Sequence, residues 1–167
     1  MRIIGKKTPE ESVTAALKYA KEAHDCLNMV IDNLNNACGY SIFDICCGGF
    51  CVTMIKHKYI NEADYQMKSV NINLKKLNEE LKDTTVHIES VGIEEIDDLL
   101  IYSDYCCNSL FIECFIHSKI TRARDDCISC IKKVETIIQQ LEVHLKETKT
   151  SENEIQRTQK TNQIHSN

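Results

Sequence analysis

The feature that most constrains the fold of this chain is a sequence repeat with a spacing of 60 residues. The segment Asp-Ile-Cys-Cys at 44–47 returns as Asp-Tyr-Cys-Cys at 104–107, and His57 returns as His117. The aspartate, both cysteines and the histidine keep their register without an insertion. Self-similarity at a fixed period indicates that one supersecondary unit occurs twice. We therefore expect two similar units, each with its own aspartate and histidine.

The scarcity of helix-breaking residues indicates what these units are made of. The chain of 167 residues has one proline and five glycines, which favours long helices over many strands. Thr8 suits an N-cap and Pro9 suits the first helical position. Apolar residues then keep a helical spacing from Val13 to Leu34. The asparagine-rich stretch that follows predicts the end of the first helix near Asn36.

Four further helices are predicted from caps and apolar stripes. Ser41 and Asn61 resemble the N-caps of two helices in the first copy, and Thr121 resembles an N-cap in the second. The stretch 83–93 lacks helical spacing and is expected to be an extended crossover. The helices are therefore expected at 9–36, 41–57, 61–82, 94–115 and 121–146.

The predicted fold class is all-α, with a five-helix bundle as its architecture. Two pseudo-symmetric helix–turn–helix units, 42–82 and 102–142, form the repeat, and the N-terminal helix stands outside it. After Lys146 the chain is almost entirely polar, and such a composition does not bury enough surface to order itself. We expect a helical bundle domain at 1–148 and a disordered polar tail at 149–167.

Charge and apolar patterning exclude several classes of function. The net charge of −5 argues against nucleic-acid binding, which depends on basic contacts to phosphates. The first twenty residues lack the apolar block of a signal peptide. The most apolar windows, 42–55 and 99–116, are too short or too interrupted by polar residues for a membrane span. We therefore expect a soluble cytoplasmic protein.

The ten cysteines are interpreted as small buried apolar side chains, because disulfides are rare inside cells. No cofactor and no metal site are predicted. The weak candidates for metal ligands are Glu113 with His117, four residues apart on one helical face, and Cys127 with Cys130, which have the spacing of a zinc pair. A closed zinc site needs a second such pair, and the adjacent cysteines do not supply it.

The repeated aspartates and histidines are the candidate functional residues. Asp44 and His57 lie about 20 Å apart along one helix, so they do not meet within their own copy. If the two inner helices pack antiparallel, Asp44 approaches His117 and Asp104 approaches His57. Such crossed pairs would be structural, catalytic or metal-binding. The simpler interpretation is that each aspartate begins a helix and each histidine ends one, where a cation suits the helix dipole.

Two motifs of this chain resemble those of a known family. The first places Asp44 before Gly48-Gly49 and Lys56-His57, and the second combines Tyr102-Ser103-Asp104 with His117-Ser118-Lys119-Ile120. Through these motifs, residues 38–63 and 102–124 resemble an uncharacterised family of small helical proteins, mostly bacterial. The family pattern has Leu, Gly or Phe where this chain has cysteines, and Gln where it has His117. The resemblance implies a helical fold and no established activity.

The absence of a recognisable catalytic motif leaves interaction as the expected function. We expect a non-enzymatic protein that acts through contact with a protein partner or through self-association as a homo-oligomer. One alternative is a metal-binding or catalytic bundle that uses the paired aspartates and histidines. A further alternative is peripheral membrane association through residues 43–55. That alternative is disfavoured, because burial as a central bundle helix explains the same apolar character.

Overall fold

The computed structural model describes residues 7–47, 50–83, 93–106 and 117–164. Within these ranges the chain forms four helices and no strand, so the predicted all-α class is confirmed. The helices are α1 (Pro9–Cys47), α2 (Phe50–Asp83), α3 (Ile93–Tyr105) and α4 (His117–Ile164).

Helix α1 packs against both α2 and α4, and it runs antiparallel to each. Near its start, Lys7 donates to Glu80 at the end of α2. Near its end, the ring of Tyr40 stacks on that of Tyr59, close to the start of α2, with 5.7 Å between ring centroids. Lys21 Nζ lies 2.7 Å from Glu142 Oε1, which places the later part of α4 beside the early part of α1.

Helix α3 completes an up-down-up-down bundle, diagonally across from α1. Asn78 of α2 donates to Asp97 at 3.4 Å, and Asn71 donates to Ser103 at 3.0 Å, so that α3 runs antiparallel to α2. The hydroxyl of Tyr102 lies 3.9 Å from the sulfur of Cys127 on α4. Each neighbouring pair of helices is therefore antiparallel, as in four-helix bundles with short connections.

The predicted start of α1 at Thr8 and Pro9 is confirmed. Glu11 N donates to Thr8 Oγ1 at 3.2 Å, and Thr8 N donates to Glu11 Oε2 at 2.8 Å. This reciprocal pair is a capping box, which satisfies two backbone donors that the first helical turn leaves without partners. The side chains of Glu10 and Glu11 also suit the positive end of the helix dipole.

The predicted end of the first helix near Asn36 is wrong, because α1 continues to Cys47. Ala37, Cys38 and Ser41 lie on the same buried face as Leu34, so packing extends the helix through residues of low helix propensity. Ser41 is not an N-cap, since its hydroxyl donates to Ala37 O within the helix at 2.9 Å. A Cβ at Gly39 would meet nothing within 4 Å, so the glycine is tolerated on the exposed side.

The five-helix count and the two helix–turn–helix units are not confirmed within the described residues. Asn61 lies inside α2 and Thr121 lies inside α4, so neither residue caps a helix. The predicted turn after His57 is continuous helix, because Ile60 and Ala63 continue the buried face of α2. Of the predicted crossover 83–93, Asp83 ends α2 and Ile93 begins α3. Residues 84–92 lie outside the described residues.

Burial follows the sequence repeat along the later part of α2 and the middle of α4. Seven apolar positions of each helix are buried, and every position of one set lies 60 residues from its counterpart in the other. The apolar stripes predicted from Ala63 to Leu81 and from Cys127 to Leu141 fall within these sets, and the burial of those members confirms them. The members are Ile60, Ala63, Met67, Val70, Leu74, Leu77 and Leu81 on α2, and Ile120, Ala123, Cys127, Cys130, Val134, Ile137 and Leu141 on α4.

Helix α4 continues to Ile164, past the predicted helix end near Lys146 and through most of the tail that was expected to be disordered, 149–167. The hydroxyls of Thr148 and Thr150 donate to the backbone carbonyls four residues earlier, at 2.9 Å each. Lys149 also lies 3.9 Å from Glu10 of α1. Extending an existing helix fixes only one residue per hydrogen bond, so this polar segment needs no apolar face to remain helical.

Candidate binding site between helices α3 and α4

Helix α3 is fastened to α2 by a network of short polar contacts. Asn71 Nδ2 donates to Ser103 Oγ at 3.0 Å and to Asp104 Oδ1 at 2.6 Å. Lys75 Nζ donates to the same carboxylate oxygen at 3.1 Å. Asn71 and Ser103 are both buried, and a buried polar group is costly unless it is hydrogen-bonded. This network therefore fixes the rotation and height of α3 on the bundle.

The same network sets the charge state of Asp104. The hydrogen bond from Asn71 is the largest cause that lowers the pKa of this carboxyl below its ordinary value, and the one from Lys75 adds to it. Hydrogen bonds to the charged form favour that form. Asp104 is therefore ionised at neutral pH.

The opposite edge of α3 borders a cleft of about 330 Å³ against α4. Across this edge Lys133 Nζ lies 3.9 Å from Asp98 Oδ2, and the Tyr102 hydroxyl lies 3.9 Å from the sulfur of Cys127. The cleft combines two aromatic rings with two acids and two bases. Its lining residues are Asp98, Leu99, Tyr102, Tyr105, Arg122, Asp126, Ser129, Cys130 and Lys133.

Thiols surround the Tyr102 hydroxyl beside this cleft. Cys106, Cys127 and Cys130 are all buried, and Cys130 also lines the cleft. Burial is the main cause that raises the pKa of Cys127, and it raises the pKa of Cys130 to about 11. Burial also raises the pKa of Tyr102. A thiol that keeps its proton is a poor nucleophile and a poor metal ligand, so these groups act as packing.

The outer face of α3 carries two large exposed apolar side chains. Ile101 is 69% exposed and Tyr105 is 60% exposed. They stand four residues apart, so they are neighbours on one side of the helix. Tyr105 also lines the cleft, which makes the exposed side chains and the cleft one continuous surface. We call Asp97, Asp98, Ile101, Asp104 and Tyr105 the α3 face.

The structure does not bring the predicted pair Asp104 and His57 together. Asp104 is bonded to Asn71 and Lys75, and Asn71 lies fourteen residues beyond His57 on the same helix. At 1.5 Å per residue this separation is about 21 Å along α2. The prediction assumed an inner helix through 115, of which residues 107–116 lie outside the described residues.

The second predicted pair and the metal candidates are placed only in part. The side chains of Asp44, Glu113 and His117 lie outside the described residues, so the pair of Asp44 with His117 stays a prediction. Cys127 and Cys130 are in the core, in agreement with their interpretation as packing residues. Among the described residues, no three His, Cys, Asp or Glu side chains gather closely enough to hold a metal ion.

His57 lies in a separate groove of about 660 Å³ on the outside of α2. The described residues that line this groove all belong to α2, among them Met54, Lys58 and Tyr65. The α3–α4 cleft is lined from two helices and adjoins an exposed apolar face. We therefore take the cleft as the candidate binding site. The segment 43–55, considered for membrane contact, has few described side chains; of these, Met54 and Ile55 are exposed.

Sequence reasoning missed the residues that define this site. Ile101 was part of an apolar window, and Tyr102 and Tyr105 stood in the second motif and in the repeat, but none of the three was singled out as a binding residue. The available signal was the i, i+4 spacing of Ile101 and Tyr105 between aspartates, which is not the pattern of a buried helix face. Asn71 gave a signal as well, because it stands where the second copy has Ile131.

Comparison with known proteins does not assign this cleft to a known kind of site. The chain matches no protein-family model, no curated protein and no solved structure. Of the described helices, none is long and apolar enough to cross a membrane.

Proposed function

We propose that this helical bundle acts by binding another protein on the α3 face and the adjoining cleft. The observation that carries the proposal is the exposure of Ile101 and Tyr105, at 69% and 60%, next to a cleft between two helices. Interfaces are enriched in aromatic side chains at their centres, and a few such residues supply most of the binding energy. The function is then interaction without catalysis.

Rigidity of the site supports this proposal. Helix α3 is held to α2 by the bonds of Asn71 and Lys75, and Leu99 and Cys106 fix its inner side in the core. A surface that is already ordered loses less conformational entropy when a partner binds. The fixed orientation of α3 therefore favours affinity as well as stability.

The repeat and the family resemblance belong to the same proposal. The two copies supply similar buried stripes on α2 and α4, which we infer to be related by pseudo-symmetry, and the binding surface occupies the edge where the copies differ. The resemblance of residues 38–63 and 102–124 to uncharacterised helical proteins agrees with a scaffold role. The resemblance implies no enzymatic reaction that would argue against a scaffold role.

Site-specific photo-crosslinking tests the proposal. A photoreactive phenylalanine analogue replaces Ile101 in one variant and Met29 in the control, because Met29 is 52% exposed on α1, across the bundle. We expect position 101 to crosslink a distinct protein in the native cells and position 29 not to do so. The identified protein, once purified, should bind wild type and Met29→Asp equally, and bind Ile101→Asp about tenfold more weakly or worse.

Two outcomes would contradict the proposal. Crosslinks from position 101 only to another copy of this chain would assign the surface to self-association. Crosslinking at 101 no stronger than at 29 would show that the α3 face is not a protein-binding surface. Thermal unfolding of each variant, followed by circular dichroism, checks that the bundle is intact.

A further inference from the structure

The acidic residues that account for the net charge of the chain are concentrated on α3. The chain has 25 acids and 20 Lys and Arg residues. Five of those acids lie on α3, which has no basic residue, so the remaining 20 acids balance the 20 bases. A surface of one sign attracts partners of the opposite sign and disfavours partners of the same sign. The concentration of acidic residues on α3 therefore indicates the sign of charge that a binding partner should carry.

Three of these carboxylates surround Ile101, the most exposed large apolar side chain among the described residues. Asp97 lies four residues before Ile101, Asp98 lies three residues before it, and Asp104 lies three residues after it. Positions three or four residues apart are neighbours on a helix surface. Tyr105 occupies the remaining neighbouring position. The α3 face thus presents an apolar centre with a carboxylate rim, which is the anatomy of an interface core and its border.

Neighbouring lysines neutralise this rim only in part. The side chain of Asp98 is 69% exposed with Lys133 at 3.9 Å, and that of Asp104 is 53% exposed with Lys75 at 3.1 Å. Asp97 accepts a hydrogen bond from the neutral amide of Asn78. Among the described residues, two lysines therefore stand against these three carboxylates. In the cleft itself, Arg122 and Asp126 add one charge of each sign.

We infer that the partner docks a basic amphipathic helix on the α3 face. This inference rests on the proposed function and specifies its ligand. Apolar side chains spaced three or four residues apart would cover Ile101 and Tyr105, and flanking Lys or Arg residues would meet Asp97, Asp98 and Asp104. Helix-in-groove recognition uses this spacing of apolar residues. The charges speed the encounter and select against acidic partners.

A pair of designed peptides tests the charge of the partner. The first is an 18-residue amphipathic helix with a Leu and Phe stripe flanked by lysines, and the second replaces every lysine by glutamate. Binding of the fluorescein-labelled peptides to the full chain is followed by fluorescence anisotropy at low salt. We expect the lysine peptide to bind at least about tenfold more tightly than the glutamate peptide.

Protein variants locate the binding and control for folding. The double variant Asp97→Asn and Asp98→Asn keeps the shape of the side chains. It should weaken the binding of the lysine peptide about fivefold to tenfold. Ile101→Asp should weaken it at least about tenfold despite the added negative charge. Met29→Asp should change nothing. Asp104 is left intact, because its substitution would also loosen α3 from α2.

The outcomes separate this inference from the proposed function. Equal binding of the two peptides, or no effect of the double Asn variant, would overturn the basic helix. If crosslinking at position 101 still identifies a partner protein in that case, the binding surface stands and its ligand is different. Binding of the lysine peptide that Ile101→Asp leaves unchanged would also overturn the inference, because the peptide would then sit elsewhere.

Discussion

The two edges of helix α3 differ in how they meet their neighbours. Toward α2, Asn71 reaches Ser103 and Asp104 at 3.0 and 2.6 Å. Toward α4, the contacts lengthen to 3.9 Å and a cleft of about 330 Å³ remains. One edge is sealed by buried hydrogen bonds and the other stays open. A short helix is thus held by hydrogen bonds along one edge and borders a cleft along the other.

Residues at matched positions of the repeat differ in size between α2 and α4. Positions that carry Met67 and Leu74 on α2 carry Cys127 and Val134 on α4, and all four are buried. Each substitution shortens the side chain. Protein interiors are close-packed, so the space left by smaller side chains on α4 must be filled from elsewhere or stay empty. The ring of Tyr102, whose hydroxyl lies 3.9 Å from the sulfur of Cys127, fills part of it.

The largest expected effect comes from shortening the matched side chains. Met67→Ala removes a fully buried side chain at the sealed edge and should lower the free energy of unfolding by about 2–5 kcal/mol. Cys127→Ala removes a single sulfur atom beside the open edge and should cost roughly 1 kcal/mol. Urea unfolding followed by circular dichroism measures both. Equal costs would show that packing is as tight against α4 as against α2.

Alkaline pH should destabilise the bundle through the thiol of Cys130, whose pKa rises from the ordinary 9.0 to about 11 on burial. The unfolded thiol loses its proton near pH 9, whereas the folded one keeps it. The stabilisation is therefore complete below pH 9 and is lost as pH rises toward 11, by about 1.4 kcal/mol per pH unit.

Cys130→Val tests this effect, because valine is the residue that α2 carries at the matched position, Val70. Urea unfolding at intervals between pH 8 and pH 11 should show a shallower loss of stability for the variant than for wild type. If the two proteins lose stability in parallel, Cys130 is not the group responsible. Solvent would then reach the Cys130 thiol through the cleft more readily than its burial indicates.

Breaking the sealed edge should have an intermediate effect. Asn71→Ile installs the residue found at the matched position 131 and leaves the buried Ser103 hydroxyl without its donor, at a cost of about 1–3 kcal/mol. Hydrogen exchange should accelerate for the amides of α3 before those of α1. Asn28→Ile, on the exposed surface of α1, should stay within about 0.5 kcal/mol of wild type. Unchanged exchange in α3 would mean that these bonds do not hold it.

The sequence was sufficient to predict the features that depend on local chemistry and on periodicity. Thr8 and Pro9 located the start of α1, because capping involves residues three positions apart. The stripes ending at Leu81 and Leu141 were recognisable because burial on a helix repeats every three or four residues. Both features require no knowledge of distant contacts.

Helix boundaries and the binding site depended on tertiary contacts that the sequence does not display. Asn61 and Thr121 have the chemistry of caps, yet packing of the surrounding apolar residues carries α2 and α4 straight through them. His57 was a candidate partner of Asp104 if the inner helices crossed, but Asn71 and Lys75 of α2 hold this carboxylate instead. Local propensity is a weak prior when a long apolar face continues on both sides of it.

The smallest expected effect on stability concerns the ion pair that spans the open edge. Lys133 and Asp98 meet at 3.9 Å with side chains 43% and 69% exposed, and exposed pairs of this kind contribute less than about 0.5 kcal/mol. Lys133→Ala should therefore leave urea unfolding almost unchanged. The variant should instead bind the lysine peptide about twofold to fivefold more tightly, because Asp98 is then free to pair with the peptide. A loss of more than about 1 kcal/mol, or weaker peptide binding, would show that this pair closes the edge, and that α3 is held equally on both sides.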